Sequence, residues 1–151
     1  MREVDGPGAV TAAGVLFHDA GGRVLLVEPT YKPGWEIPGG MVDGVETPRA
    51  ACVREVREEL GLTIEPGPLL VVDWAPKDGV PHVRFVFDGG TPTAAELAAI
   101  TFTDGELRSW AWVTPDEVPA RTVPRLARRI AAALGALAEG GVRYCENGRH
   151  P

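Results

Sequence analysis

The sequence predicts a layered fold of α-helices and β-strands whose sheet is not purely parallel. Three observations carry this. Short runs of small, β-branched and aromatic residues recur between glycine- and proline-rich turns at hairpin-like spacing. Two stretches, near 47–61 and 123–139, place their apolar residues at helical intervals. Helices lying among strands must stack in layers to bury the apolar side of each. The chain has 151 residues, 44% of them hydrophobic, enough for the core of one ordinary domain. No internal repeat or low-complexity linker marks a boundary, so 1–151 reads as a single domain with a loosely packed tail from about 141.

In chain order, Ala9 to Phe17 reads as a strand, Asp19-Ala20-Gly21-Gly22 as a turn and Arg23 to Val27 as a second strand, together an antiparallel hairpin. Pro29 to Gly44 reads as a loop. Thr47 is placed to cap a helix with Pro48 at its first position, where the missing N–H is no loss, and Gly61 to end it. Cys52, Val53, Val56 and Leu60 share one face of that helix, which should dock on a sheet. Leu69 to Trp74 and His82 to Phe87 read as strands around Pro76-Lys77-Asp78-Gly79, Thr93 to Ala99 as a short helix, and Leu107 to Val113 as a further strand. In Val123 to Glu139, Leu126, Ile130, Ala133, Leu134 and Leu137 form a helical stripe that Gly140-Gly141 stops.

The chemistry concentrates between Gly40 and Leu62, GMVDGVETPRAACVREVREELGL. Glu55, Glu58 and Glu59 fall within about a third of a helix circumference at roughly 100° per residue. Their like charges repel at i,i+3 and i,i+4. A cation is the natural remedy, because hard divalent ions take carboxylate and carbonyl oxygens together with waters and substrate phosphates. The bland alternative, a solvated acidic face, leaves both the repulsion and the Pro38-Gly39-Gly40 turn in front of it unexplained.

This segment resembles the Nudix box, G-x5-E-x7-R-E-U-x-E-E-x-G-U with U aliphatic. Gly40, Glu46, Arg54, Glu55, Val56, Glu58, Glu59, Gly61 and Leu62 fill every specified position. The resemblance extends to the Trp35-to-Gly40 lead-in and to Trp112-Val113 before Asp116-Glu117. Val45 stands where relatives often carry glycine, which bears on loop shape and not on the chemistry.

The resemblance implies an α/β/α sandwich around a mixed β-sheet, with the box as a loop, helix and loop at one end. It implies hydrolysis of a small nucleoside diphosphate linked to another moiety, by water attacking phosphorus, with Mg²⁺ as cofactor and Mn²⁺ as a substitute. On this reading Glu58 and Glu59 are metal ligands, Glu55 is a ligand or the general base, and the Gly39 carbonyl is a further ligand. Arg54 orients a catalytic glutamate, and Glu46 has a mainly structural role. A later acid completes the catalytic set, with Glu106 preferred over Asp104 and Glu96.

Outside the box the signal weakens. Trp35, Trp74 and Trp110 are candidates to stack a base, each with a competing role as a core or rim aromatic; Trp112 reads as core. Among the histidines, which show no metal-ligand spacing, His82 is the one placed near substrate, so Trp35 and His82 are the substrate-binding expectations.

The net charge of −6 disfavours an extended grip on nucleic acid. Arg121, Arg125, Arg128 and Arg129 read as a solvated helix face. The N-terminal stretch MREVDGPGAVTAAGV is unlike a secretory leader, and no segment has the length of a membrane span. Cys52 and Cys145 form no CxxC, so neither thiolate-metal nor disulfide logic applies, and a reducing cytoplasm is expected. A small nucleotide is the expected partner, with dimerisation open. A nucleotide-sensing domain without turnover, or an enzyme acting on RNA 5′ ends, are the alternatives. The first usually loses box carboxylates and the second should show a basic face.

Overall fold

The computed structural model describes residues 8–151. Residues 1–7, most of the acidic, glycine-proline part of the stretch read above as unlike a leader, lie outside the described residues. Seven strands and four helices follow: β1 (Val10–Phe17), β2 (Val24–Pro29), β3 (Gly39–Met41), α1 (Pro48–Leu60), β4 (Leu69–Trp74), β5 (His82–Gly90), α2 (Ala94–Ala99), β6 (Leu107–Val113), α3 (Val118–Arg121), α4 (Pro124–Glu139) and β7 (Arg143–Glu146).

A five-stranded sheet runs β3-β1-β5-β4-β7, and β2 and β6 form a separate antiparallel pair. The larger sheet is mixed: β1 lies parallel to β5 and β4 to β7, whereas β1–β3 and β4–β5 are antiparallel. Successive side chains of a strand point to opposite faces, and this alternation builds two cores. Leu16, Val71 and Val86 join Leu126, Ile130 and Ala133 of α4 on one side. Val15, Phe17 and Val27 join Cys52, Val56 and Leu60 of α1 on the other. The result is a mixed sheet between helical layers, as the box resemblance implied.

The first two strands depart from the expected hairpin. Only a bridge between His18 and Val24 links them; β1 inserts between β3 and β5, and β2 pairs with β6. Neither strand alternates between apolar and polar side chains where it is buried. Val15, Leu16 and Phe17 of β1 are all buried, as are Val24, Leu25, Leu26 and Val27 of β2, so each strand needs cover on both faces. A local hairpin would leave one face bare.

The tail from about 141, expected to be loosely packed, instead carries β7, which adds to β4 in parallel with Cys145 buried at 1% exposure. Arg129 is likewise buried and not solvated. Fully buried Asp73 on β4 explains both departures: its Oδ2 accepts from Arg129 Nε at 2.7 Å, and its Oδ1 from the Gly148 backbone N–H at 2.9 Å. Arg125 and Arg128 donate to the carbonyls of Pro76 and Asn147. Gly148 has φ +78, and a Cβ there would stand 2.8 Å from the Arg125 carbonyl oxygen. Arg128 directly, and Arg129 through Asp73, thus clasp the C-terminal segment.

Removing one partner of a buried ion pair strands the other. Asp73→Asn should therefore cost about 3–5 kcal/mol, read as a shift in the urea midpoint at constant slope. A loss below about 1 kcal/mol would show that the clasp behaves like a surface pair.

Candidate active site

The site begins with two glycines. Gly39 and Gly40 pair with Gly14 and Ala13 of β1. A Cβ on Gly39, whose φ is +149, would come within 2.3 Å of the Ala13 carbonyl oxygen, and one on Gly40 within 2.5 Å of the Glu55 carboxyl carbon. One glycine therefore lets β3 close on β1, and the other admits a box carboxylate against the strand. A loop was expected here; β3 is short because it serves this approach and buries no side-chain face of its own.

Helix α1 brings the carboxylates to that strand. The Thr47 hydroxyl accepts from the Ala50 N–H at 3.1 Å, Pro48 opens the helix, and Gly61 at φ +72 ends it with its N–H donated to the Arg57 carbonyl. Ala51, Cys52, Val56 and Leu60 dock on the sheet, while Val53 is half-buried. The neighbouring face carries the glutamates to the sheet edge.

Arg54 apportions the charge. It donates to Glu46 Oε1 at 2.6 Å, Glu55 Oε1 at 3.0 Å, Glu58 Oε2 at 3.3 Å and the Met41 carbonyl at 2.9 Å. Its hydrogen bond holds the Glu46 carboxyl below the ordinary range. Glu59 differs from its neighbours. It is 7% exposed, no Lys or Arg among the described residues pairs with it, and its Oε1 accepts from the Gly39 N–H at 2.9 Å. Burial pushes its carboxyl up to about 8, against that hydrogen bond and aided by the charges of Glu55, Asp104 and Glu106. Burial also raises Glu55, with Arg54 opposing and Glu58 and Glu106 reinforcing.

Of the three later acids, Asp104 and Glu106 therefore bear on the box glutamates. Glu96 does not: it closes a capping box with Thr93 at the start of α2. Trp35 packs against the α4-side core with the Arg121 guanidinium 4.9 Å from its ring centre. His82 is buried with Nδ1 2.8 Å from the Val80 carbonyl oxygen. Trp110 meets Trp112 edge to face, and Trp74 is exposed on β4. None of these rings lines the cavity beside Glu59. That cavity, of about 370 Å³, is bordered by Gly39, Gly40, Glu59, Tyr31, Arg84 and Arg129 among others. Tyr31 and Phe85 are the aromatic residues along it. The sequence held a signal for Arg84, a lone charge in the apolar run His82-Val83-Arg84-Phe85-Val86-Phe87, but none for Tyr31.

The NUDIX domain profile matches residues 8–134. The chain belongs to the Nudix family. A MutT-like protein of Streptomyces ambofaciens is 32% identical over 126 residues, 83% of this chain and 77% of that one. The 8-oxo-dGDP phosphatase of Homo sapiens is 34% identical over 90% of this chain, which spans 40% of that longer protein. A MutT protein from Methanosarcina mazei superposes with a TM-score of 0.72 at 22% identity, covering 91% of this chain and 99% of that one, which shows the shared fold. The chain is thus a Nudix pyrophosphohydrolase, of a family that uses divalent metal ions and acts on small nucleotides. No helix of the described residues is long and apolar enough to cross a membrane.

The residues present fit a hard divalent cation by their chemistry. Among the described residues no three acidic, histidine or cysteine side chains converge on one point, since Glu55 and Glu58 turn to Arg54. Mg²⁺ asks for less, being held by one or two carboxylates with waters and substrate phosphates. Glu59 supplies a buried carboxylate with no cation, and Glu58, half-exposed on a 3.3 Å contact, is free to turn.

The folded chain holds the Glu59 proton more tightly than the unfolded chain does. That stabilisation is complete below the ordinary value of 4.5 and is lost as pH rises through about 8. In EDTA, wild-type stability should fall across this window and Glu59→Gln should fall less. Urea titrations giving parallel pH profiles for the two proteins would contradict the assignment of burial as the cause.

Proposed function

We propose that this protein hydrolyses the pyrophosphate linkage of a small nucleoside diphosphate joined to a second moiety, with Mg²⁺ as the working ion and Mn²⁺ able to replace it. The linked compound is a nucleoside triphosphate, a nucleotide-sugar or an ADP-ribose-like molecule, and the reaction is attack of water on phosphorus. The observation that carries the reading is Glu59, a buried carboxylate with no Lys or Arg partner among the described residues, at the rim of a cavity bordered by basic side chains. The MutT-like and 8-oxo-dGDP phosphatase relatives support a nucleotide ligand.

Glu58, Glu59 and the Gly39 carbonyl would hold the ion, with Glu55 as a further ligand. When bound, a divalent cation supplies charge neutralisation at the phosphate oxygens and a lowered pKa for water. Arg54 holds Glu55 and Glu58 in position through its Nη1. Glu55, whose carboxyl burial raises, accepts the water's proton if it is not a ligand. Glu106, on the loop leading into β6, is the later acid that completes the set. Basic side chains along the cavity favour an anionic ligand.

Glu58→Gln and Glu59→Gln should each lower kcat by about 10²-fold or more, a loss of about 2.7 kcal/mol in transition-state stabilisation, with circular dichroism unchanged. Near-native turnover in both would refute the metal assignment. Hydrolysis in ¹⁸O-water should place the label on a phosphate product. Label on a sugar carbon would instead mean glycosidic cleavage.

A further inference from the structure

The cavity continues well beyond the box. Gly39 lies opposite Gly14 on β1, and Gly14 opposite Val86 on β5. Two strand spacings, about 10 Å, therefore separate the rim from β5, and Arg84 is two residues further along. Ala12 and Gly14 keep the floor between them low. With its backbone that far from the box glycines, Arg84 is positioned for a part of the ligand other than the group held at the rim.

Arg84 lacks the usual compensation for a half-buried charge. It stands in register with Asp73 on β4, on the face that α4 covers. Asp73 is already engaged by Arg129 and the Gly148 N–H. Among the described residues the Arg84 side chain has no hydrogen bond or ion pair. The side chain of Lys77, on the turn between β4 and β5, also has none, whereas Lys32 is paired with Glu36. Unlike Arg129, Arg84 therefore borders the cavity with no carboxylate in hydrogen-bond contact, although the charges of Glu36, on the same wall, and Asp73 favour its charged form. Burial lowers its pKa, and the charges of Arg129 and Arg125 lower it further. An uncharged ligand would deepen that desolvation, whereas an anion would relieve it.

We propose that Arg84, assisted by Lys77, is a specificity-determining residue that binds a second anionic group, a phosphate monoester or a carboxylate, on the part of the substrate remote from the cleaved bond. The planar fork suits either group through paired N–H donors. The inference rests on the hydrolase reading for the position of the scissile linkage, but the binding site can be tested without turnover.

Two matched pairs of compounds test it: ADP-ribose against its 2′-phosphate, and UDP-glucose against UDP-glucuronate. Calorimetric titration of the protein in EDTA gives the affinity ratio within each pair, and kcat/KM in Mg²⁺ gives the kinetic ratio. In wild type the charged member of at least one pair should bind about tenfold or more tightly than its neutral partner, and the pair that responds identifies the anion. The ratio should fall to within about twofold in Arg84→Met, and less far in Arg84→Lys and Lys77→Gln. Melting curves check that Arg84→Met is folded; should it not be, Arg84→Lys and the exposed Lys77→Gln carry the test. Ratios near one for both pairs in wild type, or ratios unmoved in the folded variants, overturn the proposal. A preserved binding ratio without hydrolysis of any compound would refute the nucleotide-sugar and ADP-ribose-like substrates alone, and hydrolysis without a ratio would refute this inference alone.

Discussion

The hydrogen bond from the Gly39 backbone N–H to the Glu59 carboxylate joins the acidic helix to the edge of the sheet, and the rest of the site is arranged around it. It requires β3 to lie flush on β1, which only glycine at position 39 allows, and it requires α1 to run over that strand with Glu59 turned inward. A hydrogen bond to a charged acceptor contributes about 1.5–3 kcal/mol. Here that is outweighed by desolvation, because the Glu59 carboxyl is raised and not lowered. The fold therefore carries a destabilised carboxylate at the one point where helix, strand and cavity meet.

The electrostatic cost of the box lies less in crowding than in burial. Like charges at i,i+3 and i,i+4 on an exposed helix cost only a few tenths of a kcal/mol each, and Arg54 offsets much of that by sharing its donors among Glu46, Glu55 and Glu58. Glu59 receives no such relief. The three glutamates are consequently unequal: Glu58 is half-exposed and loosely held, Glu55 is partly buried and paired, and Glu59 is buried and alone. On the proposed reading this gradation would offer a divalent ion one fixed carboxylate and one that can turn, while Arg54 offsets the repulsion among Glu46, Glu55 and Glu58.

The two cores divide the labour. Helix α1 is anchored in one and presents acids, while the cavity runs from Glu59 and Gly39 to Arg84 on β5 and Arg129 on α4. The small residues Ala12, Gly14, Gly39 and Gly40 line the passage between these ends. The cavity wall depends in turn on the C-terminal segment beyond residue 134, where the family profile ends. Gly148 and Arg129 share Asp73, so β7 and its turn hold one cavity arginine in place and leave the other, Arg84, without a carboxylate.

The sequence by itself determined the box helix, its caps and the identity of its acids, because these are local. Helical periodicity, a Thr-Pro start and a glycine stop act within a few residues, and a motif with nine filled positions names its own chemistry. The strands from Leu69 to Trp74 and Leu107 to Val113 were legible for the same reason. Tertiary structure alone decided the partners. Nothing local distinguishes a hairpin of β1 and β2 from strands sent to separate sheets, since pairing is settled by which faces need cover. Nor does helical spacing reveal that Arg129 would meet Asp73, 56 positions away, that Tyr31 and Arg84 would share a cavity while Trp35 and His82 would not, or that β7 would complete the sheet. Each of these depends on burial, and burial is a property of the assembled layers.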